Sequence, residues 1–242
     1  MTRSIVARTL AARFLDRLAA TPRGRAFMLQ FLVNAEEGDE AGVFDRLVEK
    51  VDDPALNKLV RRHRDDEYRH ARVFRDCLAR QGVAAERLPA PANVLPFIER
   101  ALGGVGAAFV DDRRTVMEAY LMLQVVEERG VEQYPLIASS IERYDPESAA
   151  VIREVANDEL RHVKYAIAIS RRYAPDALTR EATLRRFRAA EQRAFVEHGR
   201  VFLAQAVTAD LLDVRGPERL VWRGLAALER QRSAAIPMAV AA

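Results

Sequence analysis

The chain has 242 residues, of which 50% are hydrophobic and 30% charged, enough to bury the core of one domain. Its 38 basic and 35 acidic residues nearly cancel to a net charge of +3, and the pI of about 9.2 reflects 35 arginines against 3 lysines, so a broad nucleic-acid surface is not expected. No apolar run is long enough for a membrane span, and the lone Cys77 excludes an internal disulfide and any Cys-x-x-Cys metal or redox motif.

The N-terminal segment keeps helical spacing through Val6, Leu10, Phe14 and Leu18. Arg3, Arg8, Arg13, Asp16 and Arg17 break any secretory core, so a packed amphipathic helix and a cytoplasmic location are expected. Thr21-Pro22, Asp53-Pro54 and Asp145-Pro146 each put a capping side chain before a proline, the signature of a helix start. The pattern predicts helices over about 23–51 and 54–81. A crossover with Pro89, Pro91, Pro96, Gly103, Gly104 and Gly106 follows. Further helices are predicted over about 113–142, 146–173, 179–210 and 217–233, with the last eight residues frayed. No period-2 strand pattern interrupts them. Two tightly turned helix pairs joined by one long crossover predict an all-α, four-helix bundle of ferritin-like topology. The prediction is a single domain over 1–242: a core of about 23–175, extra N- and C-terminal helices, and a C-terminal extension over about 179–233.

One pattern occurs twice. Asp66-Glu67-Tyr68-Arg69-His70 and Asp158-Glu159-Leu160-Arg161-His162 both read Asp-Glu-x-Arg-His, 92 positions apart. A glutamate and a histidine three apart on a helix point the same way, so each helix offers an oxygen and a nitrogen to one metal ion. Two such helices face to face imply a two-metal site that draws one more glutamate from each of two further helices. The candidates are Glu36-Glu37 and Glu127-Glu128. Helical periodicity favours Glu37, on a stripe with Gln30, Val33, Phe44, Val48 and Val51, and Glu127, on a stripe with Tyr120, Val131 and Tyr134. Glu36 and Glu128 stay as alternates. The predicted ligands are therefore Glu37, Glu67, His70, Glu127, Glu159 and His162, with no catalytic residue beyond them. A thiolate-free oxygen and nitrogen set suits iron or manganese, as two Fe ions or a Mn or mixed Mn/Fe pair. Asp66 and Asp158 are placed to accept from the second ring nitrogen of a ligating histidine, with Arg69 and Arg161 neutralising them.

These motifs resemble the ferritin-like, carboxylate-bridged di-iron superfamily, over about residues 25–173. The doubled Asp-Glu-x-Arg-His is similar to the motif of bacterial multicomponent di-iron monooxygenase hydroxylases, whose Asp and Arg surround the iron ligands. Glu127-x-Arg129-x-x-Glu132-x-Tyr134 resembles a segment of the tRNA isopentenyl-adenosine hydroxylase family, which would make a tRNA the substrate. The resemblance implies a di-iron oxygenase or oxidase that uses O2, a small organic substrate and an external electron donor, with a homodimer as one assembly. The competing expectations are iron oxidation or peroxide removal, as in ferritin and rubrerythrin relatives, and a non-catalytic helical binding protein.

Other residues are read more plainly. His63 lies on the face of Glu67 and His70, where an extra ligand is one reading, but its neighbours Arg61, Arg62 and Arg64 favour a polar surface position. His198 and Trp222 are expected to be structural. Cys77, Tyr120, Tyr134, Tyr165, Met117 and Met122 are expected to pack the core. Gly38, Gly42 and Gly130 follow the candidate glutamates and imply close approach or room near the site. Pro135 implies a kink or an early helix end.

Overall fold

The computed structural model describes residues 5–37, 43–84, 86, 88, 94–102 and 113–234. All regular structure among them is helical: α1 (Ile5–Ala19), α2 (Pro22–Glu36), α3 (Val43–Lys50), α4 (Pro54–Arg80), α5 (Leu95–Ala101), α6 (Arg113–Ile141), α7 (Pro146–Tyr173), α8 (Ala177–Thr208) and α9 (Gly216–Ala234). The starts follow the capping chemistry. Thr21 accepts from Gly24 N–H, Asp53 from Ala55 and Leu56 N–H, and Asp145 from Ser148 N–H, each with proline in the first turn. None of the described helices is long and apolar enough to cross a membrane.

Two expectations change. The helix expected over 23–51 is two helices: α2 ends at Glu36, and α3 begins at Val43. The crossover carries the short helix α5, with Pro96 in its first turn, where a missing N–H costs nothing. α6 runs through Pro135 to Ile141, as the helix expected over 113–142 does. Gly38, Gly42, Pro89, Pro91, Gly103, Gly104, Gly106 and the last eight residues lie outside the described residues.

Helix directions follow from cross-helix pairs. Arg25 bonds Gln81 while His70 meets Glu36, so α2 and α4 run antiparallel. Arg80 bonds Ser148 while Arg69 reaches Asp158, so α4 and α7 do too. Glu142 pairs with Arg153 near the α6–α7 turn, and His162 lies 3.8 Å from Glu127 farther along. Outside these four helices, α8 is tied to α6 by Arg129–Glu191 and Arg188–Glu128 ion pairs. Trp222 of α9 packs on Phe14 of α1, with ring centroids 5.6 Å apart, and Arg13 and Arg17 clasp Glu218.

Apolar burial falls in two separate cores. One gathers Phe27, Leu29, Leu32, Phe74, Ile137 and Ile152; the other gathers Phe44, Val60, Met117, Tyr120, Ile169 and Phe187. Along α4, α6 and α7 alike, the stretch between the two cores carries buried polar residues. The expected core residues Cys77, Met117, Met122, Tyr120 and Tyr134 are all buried, and His198 stacks between Phe31 and Phe97.

Gly24 shows how tightly α2 enters this arrangement. A Cβ there would lie 1.9 Å from the backbone oxygen of Leu18, and backbone cannot yield as a side chain does. Gly24→Ala is therefore expected to destabilise the protein by about 2 kcal/mol or more, measured as a lowered urea midpoint at unchanged m-value.

Candidate metal centre

The polar layer between the cores holds seven carboxylate and imidazole side chains that could hold metal ions. His63, Glu67, Glu127 and His162 form one group, and Glu36, Glu67, His70 and Glu159 form a second, each with ligand atoms within 4.8 Å of one another. Glu67 belongs to both. Four helices supply them: α2 gives Glu36, α4 gives His63, Glu67 and His70, α6 gives Glu127, and α7 gives Glu159 and His162. On α4 the residues fall at i, i+4 and i+7, which one helical face requires.

Glu159 also spans the layer. Its Oε1 lies 3.4 Å from His70 Nδ1, and its Oε2 lies 3.4 Å from His162 Nδ1. His63 Nε2 lies 3.0 Å from Glu127 Oε1 and 3.4 Å from Glu67 Oε1, and its ring stacks on His162 with centroids 3.9 Å apart. Tyr134 of α6 donates its hydroxyl to Glu36 Oε1, while Glu36 Oε2 lies 3.2 Å from His70 Nδ1.

The electrostatics are those of a cage short of positive charge. Burial, with Glu67's charge added, pushes Glu36 up to about 7. Burial and the neighbouring Glu127 charge push Glu159 well above the usual carboxylate range. Burial and Glu127 act the same way on Glu67, but the imidazoles of His162 and His63 outweigh them and hold it at about 2. Glu127 stays well below its ordinary value despite burial, because Glu159, His162 and His63 face it. Burial opposes protonation of His63, His70 and His162, yet the carboxylates raise all three. Carboxylates and imidazoles thus hold extra protons where a cation would otherwise sit.

The residues fit a metal pair on a second, geometric count. Glu67 Oε1, Glu159 Oε1 and His162 Nδ1 are buried, point into the layer and make no aligned hydrogen bond. Such orphaned groups are costly unless something satisfies them. Four carboxylates and three imidazoles without sulfur suit iron or manganese.

The outer partners cross between helices. His70 Nε2 lies 3.3 Å from Asp158 Oδ2 of α7, and His162 Nε2 lies 3.4 Å from Asp66 Oδ2 of α4. Arg69 and Arg161 each donate to both aspartates, once along their own helix and once across. Burial raises Asp158, but Arg161, His70 and Arg69 outweigh it and hold the carboxyl at about 2; Asp66 is likewise lowered despite burial, by Arg69 and His162. The same Asp therefore orients a histidine of the opposite helix and neutralises two arginines.

Two expectations are corrected. Glu37, favoured by periodicity, lies outside both groups: it is the residue past the end of α2, and it pairs with Arg75. The adjacent Glu36 enters the layer in its place. The seven-residue step from Glu37 to Phe44 carried no facing information, because the helix does not continue between them. The stripe Leu29, Leu32, Val33 and Glu36, all buried, was the usable signal. His63 is not a surface residue but fully buried, its ring 4.7 Å from Phe44. Its arginine neighbours face elsewhere, and its spacing to Glu67 and His70 was the better guide. Glu127 lies in the layer as placed, whereas its neighbour Glu128 turns toward α8 and bonds Arg188.

Comparison of the chain with protein-family models, curated proteins and solved structures finds no match.

These positions separate adjacent glutamates. Glu36→Ala is expected to abolish binding of one metal ion per chain, while Glu37→Ala leaves both, read as metal content by mass spectrometry after loading and desalting. Asp158→Asn is expected to weaken metal affinity roughly 10- to 100-fold at unchanged helix content, measured by competition with a chromophoric chelator.

Proposed function

We propose that this chain is a ferritin-like, non-haem di-iron oxygenase or oxidase that activates O2 to hydroxylate or oxidise an organic substrate. The observation that carries the reading is the shared Glu67. Two ligand groups with a common carboxylate make a dinuclear site rather than two separate ones. α2, α4, α6 and α7 are the four helices of the bundle in this reading, and α5, α8 and α9 are material around a substrate site.

A di-iron pair held there would supply O2 binding and its reduction. Hydroxylation consumes O2, two electrons and two protons per substrate and releases one water, so an external one- or two-electron donor is part of the proposal. The chain's own residues have distinct tasks. Glu36, Glu67, Glu127 and Glu159 balance the charge, and His63, His70 and His162 supply nitrogen. Asp66 and Asp158 fix the rings of His162 and His70. Glu36 accepts the Tyr134 hydroxyl on one oxygen and faces His70 with the other, which fixes its place at the edge of the layer. The apolar cores above and below exclude bulk water and so strengthen each interaction inside.

The test is anaerobic loading with Fe(II), desalting and metal analysis, then exposure to O2 with a reductant and a panel of organic substrates. The expected outcome is about two irons per chain and O2 uptake that rises with one substrate class and yields a product carrying one atom from labelled O2. Two irons with O2 uptake indifferent to every substrate and a growing ferric core would point to iron storage. Loading below one metal per chain in a folded protein would end the dinuclear reading.

A further inference from the structure

Gly130 occupies an unusual place. It lies inside α6, three residues after Glu127 and four before Tyr134, so all three share the face toward the polar layer. A glycine in a helix interior is disfavoured relative to alanine, so its position calls for a cause. The three atoms nearest to a Cβ added at Gly130 all belong to one side chain: Glu159 Cγ at 3.3 Å, Cδ at 3.7 Å and Oε2 at 3.7 Å. Gly24 differs, because there the obstruction is the backbone of a neighbouring turn. The bare backbone at Gly130 is room for a carboxylate, not for the approach of another helix.

We infer that Gly130 is a positioning residue for Glu159, and that its missing side chain lets this carboxylate stand between the two halves of the metal centre with one oxygen toward each. The inference rests on the dinuclear reading above. Glu159 Oε1 lies 3.4 Å from His70 Nδ1 in one half, and Oε2 lies 3.4 Å from His162 Nδ1 in the other. Oε2 is also the oxygen nearest the bare position. A methyl group there pushes the side chain by a few tenths of an ångström, away from α6 and from the position in which it meets both histidines. Helix propensity acts in the opposite direction, since alanine favours α6. The sign of the stability change depends on how far Glu159 can give, so the direct readout is metal coordination.

The test is a Co(II) titration of the metal-free full chain and of Gly130→Ala, because cobalt's visible bands report its coordination. Gly199→Ala is the control, since a Cβ there meets nothing within 4 Å. Metal-free Gly130→Ala is expected to keep the helix content of wild type. Its second Co(II) is expected to bind roughly 10-fold or more weakly with altered bands, while Gly199→Ala matches wild type in both metals. Unaltered affinities and bands in Gly130→Ala overturn the inference and leave the dinuclear reading standing. Loss of helix content in the metal-free variant also overturns it, because it assigns Gly130 to helix packing. A wild-type chain that takes up fewer than two Co(II) ions fails earlier, at the dinuclear reading itself.

Discussion

The structure is organised around seven ionisable side chains, six of them buried and Glu67 half-buried, in one layer between two apolar cores. Charged groups are almost never buried without partners, because desolvation outweighs anything a lone charge gains. Here the partners are mutual. Each imidazole lies among carboxylates, and each carboxylate faces an imidazole, a tyrosine hydroxyl or another carboxyl group that retains a proton. A layer of this kind is stable only with its members in register. The helices that carry it must therefore be held at fixed rotation and height, a role the two cores fulfil from either side.

The aspartate–arginine quartet fixes the same register from outside the layer. Asp66 and Asp158 sit one residue before the glutamates they flank, yet each contacts the histidine of the opposite helix. A sliding of α4 along α7 by one turn would break both contacts and leave Arg69 and Arg161 with only their own-helix partners. The quartet thus ties the metal-ligand geometry to the helix pairing, and the repeated pentapeptide is the sequence expression of this tie. Burial of the aspartates would favour their protonation; the arginines prevent it and keep them as acceptors for the ring N–H groups.

Legibility differed between these levels for physical reasons. Helix starts were readable because capping depends on one or two local residues, and Thr21, Asp53 and Asp145 all cap as their proline-linked positions imply. The paired motif was readable because four of its positions are functional types at fixed spacing. Glu36 was ranked behind Glu37 because the choice between adjacent residues depends on helical phase, and phase is lost where a helix ends. The break between α2 and α3 made Phe44 a false reference for Glu37. His63 was misassigned for a different reason: neighbours in sequence were weighed above neighbours on the helix face. Arg61, Arg62 and Arg64 are about 100° or more away from His63 around the axis, whereas Glu67 and His70 share its stripe. The short α5 was hidden because its proline sits where helices tolerate one.

The two halves of the centre are related by the repeat but are not equivalent, and the difference arises from α4. The group around His70 has one imidazole and three carboxylates; the group around His63 has two imidazoles and two carboxylates. His70 and His162 are each fixed from behind by an aspartate, whereas His63 Nδ1 is buried and makes no hydrogen bond. His63 is held on its inner side by Glu127, 3.0 Å from Nε2, and by the rings of Phe44 and His162, and without a partner behind it its orientation is less strongly determined. The half richer in nitrogen is therefore also the half with the less constrained ligand. The His70 side, with Asp158 behind the ring and Glu36 tied to Tyr134, is the more firmly held of the two.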